Sequence, residues 1–110
     1  MKEYMALVEK VFRDTFNNEG YECSLNSAEN DDDTLIIGDS QGLCIWQITD
    51  TCEGAKPQYI VQREIYNHNY PDDVDIEAVN ALPLNSIGEA ILLAVATEAK
   101  LRAEVFFTVD

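Results

Sequence analysis

Set out at about 100° per residue, positions 1–18 gather Met1, Tyr4, Met5, Val8, Val11, Phe12, Thr15 and Phe16 into one arc, the pattern of an amphipathic helix. Its other side carries Glu9 with Arg13 and Lys10 with Asp14, at the four-residue spacing where opposite charges meet. Gly20 offers a left-handed stop. The period then changes to two. Tyr21, Cys23 and Leu25 alternate with polar residues and read as a short strand, followed by a polar loop over 27–33. Positions 34–37 and 43–49 are β-rich runs around the turn-forming residues Gly38, Asp39, Ser40, Gln41 and Gly42, which suit a hairpin.

A loop through Gly54 and Pro57 leads to positions 58–67, where Tyr59, Val61, Arg63 and Ile65 alternate with Ile60, Gln62, Glu64 and Tyr66. This is the longest strand candidate. Positions 68–75 are polar and include Tyr70 and Pro71. Positions 76–84 read either as a further strand or as an irregular return closed by Pro83. Ser86-x-x-Glu89 then matches a capping box, and 87–102 is rich in Ala, Leu, Glu and Lys, so a second helix starts there. Its end is open, because 104–109 suits either helix or strand.

The second helix is apolar in nearly every direction, with Ile87, Ala90, Ile91, Leu92, Leu93, Ala94, Val95 and Ala96 distributed around its axis. One sheet face cannot cover all of it. The pattern places it centrally, between the sheet and the first helix, or leaves part of it as a subunit interface. The order of elements predicts an α+β fold, a two-layer sandwich with an N-terminal helix, a three- to four-stranded antiparallel sheet and a C-terminal helix, both helices on one sheet face.

Length and composition agree with one packed unit: 110 residues, 46% hydrophobic and 25% charged, span 1–110 as a single acidic domain. Three cysteines with no Cys-x-x-Cys pair indicate neither a disulfide framework nor a zinc ribbon, so reduced thiols in the cytoplasm are expected. The first residues lack the apolar stretch of a signal peptide, and the longest apolar run, 90–96, is far too short to cross a bilayer.

Charge changes the picture most. Against 21 acidic residues stand 7 basic ones, a formal net charge of -14. A surface of that sign argues against direct contact with nucleic acid or an anionic membrane, both of which require concentrated cations, and leaves a basic protein as the partner. No Lys or Arg lies between Arg13 and Lys56, or between Arg63 and Lys100. The first window holds Glu29, Asp31, Asp32 and Asp33; the second holds Asp72, Asp73, Asp75 and Glu77. In extended chain Asp73, Asp75 and Glu77 share one face at intervals of roughly 6.6 Å, a row of negative charge able to imitate spaced phosphates. Solvated loops that merely keep the protein soluble are the plainer reading of either cluster. The candidate partner-binding residues are Asp31, Asp32, Asp33, Tyr70, Asp72, Asp73, Asp75 and Glu77.

Other chemistry is thinly supported. A calcium loop starting at Asp73 would need Gly where Ala78 stands and a bidentate Glu where Leu84 stands, so no metal or other cofactor is expected. The single histidine, His68, has Cys52 as its one loop cysteine, whereas Cys23 and Cys44 lie in strand candidates as inert thiols. Phosphate-loop, Gly-x-Ser-x-Gly and His-Glu-x-x-His motifs are missing, and no catalytic residue is assigned. Trp46 reads as core. In size and charge the chain resembles phage-encoded inhibitors that mimic nucleic acid, and immunity proteins that neutralise cationic nuclease toxins. The likeness is one of type and carries over no residue. The expectation is a non-enzymatic acidic protein that engages a basic, nucleic-acid-binding protein; the alternative is an accessory protein that forms a homodimer through its apolar second helix.

Overall fold

A 3₁₀ turn, Lys2–Tyr4, runs directly into helix α1, Met5–Phe16. The predicted apolar arc turns inward: Val8 and Phe12 are buried, with Met1, Tyr4, Met5, Val11 and Phe16 packed beside them, while Thr15 is exposed. Both anticipated ion pairs form, Arg13–Glu9 at 3.0 Å and Lys10–Asp14 at 2.7 Å. The stop falls earlier than expected. Asn17, not Gly20, takes the left-handed conformation, with φ 48°, and the amides of Asn17 and Asn18 both return to the Arg13 carbonyl. Asparagine tolerates that region better than most residues, so the helix closes three residues before the glycine. Gly20 instead donates its N–H to Asn18 Oδ1 at 2.9 Å in the turn that follows.

This computed structural model describes residues 1–26, 33–39, 44–51, 58–67, 70–80 and 84–108; at 44, 65–67, 70–77 and 105–108 it describes the backbone. Five strands follow α1: β1 Glu22–Asn26, β2 Asp33–Gly38, β3 Cys44–Asp50, β4 Tyr59–Asn67 and β5 Tyr70–Ala78. They form one antiparallel meander in the order β1-β2-β3-β4-β5. Its inner face is set by alternation: Leu35 and Ile37 of β2, Trp46 and Ile48 of β3, and Tyr59 and Val61 of β4 are all buried. The register stacks Leu35, Ile48 and Val61 in one row, so slipping one strand by a single residue would turn its apolar side to solvent.

The fifth strand covers the polar segment at 70–75 and the first three residues of the segment left open as strand or irregular return. Polar residues suit an edge, where one side of the backbone lacks a strand partner. Pro71 is accommodated by an irregularity: Val74 pairs with Tyr66 and Tyr70 with Asn67, leaving Pro71, Asp72 and Asp73 without partners on β4. Past Ala78, Val79 and Asn80 lie outside regular strand. The Asn80 side chain takes the place of strand backbone, its Oδ1 accepting from Val61 N–H at 2.8 Å and its Nδ2 donating to Tyr59 C=O at 3.2 Å. A single bridge then joins Leu84 to Tyr59.

Helix α2, Ile87–Thr108, starts at the expected cap, with Glu89 N–H bonded to Ser86 Oγ at 3.4 Å, and continues through the segment left open. Both helices lie on the same sheet face, α1 over β1 and β2 and α2 over β3 and β4. They are neighbours in one layer, so α2 is not the central element its composition suggested. Ala90, Ile91 and Ala94 face the sheet, where small side chains allow close approach. Leu92, on the far side, remains 68% exposed.

Candidate functional site

The candidate residues fall into two separate places. Asp31 and Asp32 lie outside the described residues. Asp33 opens β2, directly opposite Asp50 on β3, whose Oδ1 accepts from Gln58 N–H at 3.3 Å. Tyr70, Asp72, Asp73, Asp75 and Glu77 all belong to β5. Three strand spacings and about seven residues of strand length separate Asp33 from Asp73, on the order of 25–30 Å. The fold therefore keeps Asp33 apart from Asp73.

On β5, Asp75 is in register with Ile65 and Glu77 with Arg63, which places both on the same side of the sheet. Asp73 lies in the unpaired stretch, so regular two-residue spacing is carried by Asp75 and Glu77. The strand is an edge, with β4 as its only strand neighbour among the described residues.

The basic side chains behave differently. Arg13 bonds Glu9 and donates from Nε to the Tyr21 carbonyl at 2.7 Å, tying α1 to the start of the sheet. Arg63 and Arg102 both turn toward Glu98 of α2, which is 6% exposed. Glu98 Oε1 accepts from Arg102 Nε at 3.1 Å, Oε2 accepts from the Trp46 indole N–H at 3.1 Å, and Arg63 Nε stands 3.6 Å away. Arg102 also donates to the Tyr21 hydroxyl and lies over the Phe16 ring, 4.1 Å from its centroid. Around Tyr21 the rings of Phe12 and Phe16 close the cluster, at 5.4 and 6.0 Å between centroids.

Sequence reading had Trp46 as core, and it is fully buried, but it missed this network. Two signals were present. Arg63 shares parity with the inward Tyr59 and Val61, and Glu98 and Arg102 continue the inward line of Ala90 and Ala94 at intervals of four. A charge on a predicted core face implies an opposite charge facing it, because a buried ion without one is costly.

The network borders a cavity of about 230 Å³ lined by Arg63, Glu98, Leu101 and Arg102. A second, of about 290 Å³, lies along α1 between charged side chains that include Glu9, Lys10, Arg13 and Asp14. The Cys23 thiol is half-buried, and desolvation, aided by the nearby Glu9 charge, pushes its pKa up to about 11, so it is a poor nucleophile at neutral pH. Desolvation also raises the Tyr21 hydroxyl, against the lowering effect of Arg102. Cys52 and His68 lie outside the described residues, and no cluster of three metal-ligating side chains occurs among the described ones. No described helix is long and apolar enough to cross a membrane.

The fold defines a class: a two-layer α+β sandwich with two helices side by side on a five-stranded antiparallel meander. Comparison with protein-family models, curated proteins and solved structures returns no match.

Proposed function

We propose that this is a non-enzymatic acidic binding protein that engages a basic, nucleic-acid-binding protein through its carboxylates, as an inhibitor of the nucleic-acid-mimic or immunity type acting in the cytoplasm. The observation that carries the reading is the unequal use of charge. Arg13, Arg63 and Arg102 are engaged in ion pairs with Glu9 and Glu98, whereas Asp72, Asp73, Asp75 and Glu77 follow one another along an edge strand within a cation-free stretch of sequence. Carboxylates in succession along a sheet edge would attract a cationic groove and disfavour nucleic acid itself.

The test is capture of partners from host lysate by the tagged protein at low and high salt. A basic protein released by salt, and no longer retained when Asp72, Asp73, Asp75 and Glu77 are changed to their amides, is the expected result. Retention unaffected by those changes removes β5 as the contact surface.

One observation favours a second reading, a homodimer through α2. Leu92 is 68% exposed, and Ala96, Ala99 and Ala103, also exposed, continue its side of the helix at spacings of four, three and four. Light scattering decides it: a monomer at high concentration excludes this reading, and a dimer abolished by Leu92→Glu supports it.

A further inference from the structure

Among the described residues two large apolar side chains are exposed, Leu7 at 47% and Leu92 at 68%, and both belong to the helical layer. The fold brings them together. Helix α1 passes Cys23 at Glu9 before meeting Tyr21 at Arg13, and the chain enters α2 from Leu84, bridged to Tyr59, before meeting Arg63 at Glu98. Because Cys23 and Arg63 stand in one row through Ile37 and Trp46, the two helices run in the same direction. They touch where Arg102 lies over the Phe16 ring. Counted back from that contact at about 1.5 Å per residue, Leu7 and Leu92 stand at nearly equal heights, roughly 14 and 15 Å away. At about 100° per residue Leu7 occupies the flank of α1 opposite Arg13, which reaches β1, and Leu92 the flank of α2 that carries Arg102, which reaches α1. The two leucines therefore line one groove, with the half-buried Val11 and Val95 between them.

Charge divides the molecule along the same boundary. The 3₁₀ turn, α1 and α2 hold five basic and six acidic residues, a net of -1, whereas the rest of the chain holds two basic and fifteen acidic, a net of -13. Two copies of a molecule at -14 repel least where this near-neutral layer faces its counterpart. From helix widths and lengths the outer side of the layer is about 20 by 30 Å, on the order of 600 Å², near the ~800 Å² that each partner gives to a standard interface.

We propose that this layer is the contact between two copies of the chain, with Leu7 and Leu92 at its centre. The inference rests on the dimer reading, moves the contact from α2 alone to the groove between α1 and α2, and makes it compatible with the acidic reading. Helix-to-helix contact leaves both sheets, with their carboxylates, on the outside. Lys10, Asp14 and Lys100, all exposed, supply a rim of both signs around the leucines.

Sedimentation velocity of the whole protein over a range of concentrations tests this, with native, Leu7→Glu and Leu92→Glu chains. A native dimer weakened about tenfold or more by either change is expected. Added salt should tighten it by screening the mutual repulsion, the opposite of its effect on a basic partner. Lys10→Gln with Lys100→Gln should weaken it more than Ser24→Glu with Asn26→Glu, which add the same charge at exposed positions of β1. Equal or reversed weakening places the contact off the helical layer and overturns the proposal. A native monomer at high concentration overturns it together with the α2 reading. A dimer lost in Leu92→Glu but unchanged in Leu7→Glu overturns it and leaves the α2 contact standing. Both leucines are exposed, so circular dichroism should show each variant folded; if Leu7→Glu is not, Leu7→Ser takes its place.

Discussion

Trp46 and Glu98 stand 52 residues apart in the chain, yet the indole N–H donates to the Glu98 carboxylate across 3.1 Å and joins the middle strand to the second helix. The bond lies in the buried layer between sheet and helix, where an unpaired carboxylate would be too costly to keep ionised. Two hydrogen-bond donors, the Trp46 indole and Arg102 Nε, and the Arg63 guanidinium at 3.6 Å therefore converge on one side chain; Trp46 and Arg63 come from the sheet and tie α2 to it, whereas Arg102 belongs to α2 itself.

Replacing Glu98 by Ala should remove the acceptor of the Trp46 N–H and of Arg102 Nε and the charge facing Arg63, destabilising the protein by about 2–4 kcal/mol, less than a fully buried pair because both arginines keep contact with solvent. Trp46→Phe keeps most of the ring burial but loses the donor and some volume, and should cost less, roughly 1–3 kcal/mol. Urea unfolding monitored by circular dichroism measures both; equal costs would show that the carboxylate matters only to Trp46.

At the end of α1, Asn17→Gly should leave stability unchanged or raise it slightly, since glycine adopts φ 48° without steric penalty. Asn17→Val should lower it by about 1–2 kcal/mol, because a β-branched residue resists the left-handed region. Gly20→Ala should cost less than Asn17→Val if the stop lies where the backbone places it. Thermal melts of the three variants check the order.

Asn80→Ala should remove the side-chain substitute for strand pairing at Val61 N–H and Tyr59 C=O, at a cost of roughly 1–2 kcal/mol. Hydrogen exchange offers a local reading: the Val61 amide should lose protection in the variant relative to the amide of Ile48, its neighbour in the adjacent strand.

For Cys23 the folded thiol titrates near pH 11 against an ordinary 9.0, so folding favours its neutral form. That contribution is complete below pH 9 and disappears as pH rises through 11, so stability should decline across that window, less steeply in Cys23→Ser. Alkylation at pH 8, mapped by mass spectrometry, should modify Cys23 more slowly in the folded protein than after denaturation.

Much of the architecture was legible because it depends on local repetition. A 3.6-residue period marked α1, a two-residue period marked β1 and β4, β-rich runs around a turn marked β2 and β3, and Ser86 and Glu89 marked the start of α2. The fifth strand was legible only at its end, where 76–78 fell in a segment that read as a strand or an irregular return; 70–75 is polar and is extended through its pairing with β4. Pairing energy is a property of two segments, and neither segment alone reveals it.

The acidic excess and its two cation-free windows belong to the chain whatever its shape, because charge is fixed by residue identity. Distances between charges are not. Three-dimensional packing set Asp33 and the β5 carboxylates apart on the sheet, laid the helices side by side, and brought Arg63 and Trp46 onto Glu98, whose pair with Arg102 is a local one-turn contact. Local sequence determines which face of an element is apolar; which elements meet across that face depends on long-range burial, and there only the tertiary structure could decide.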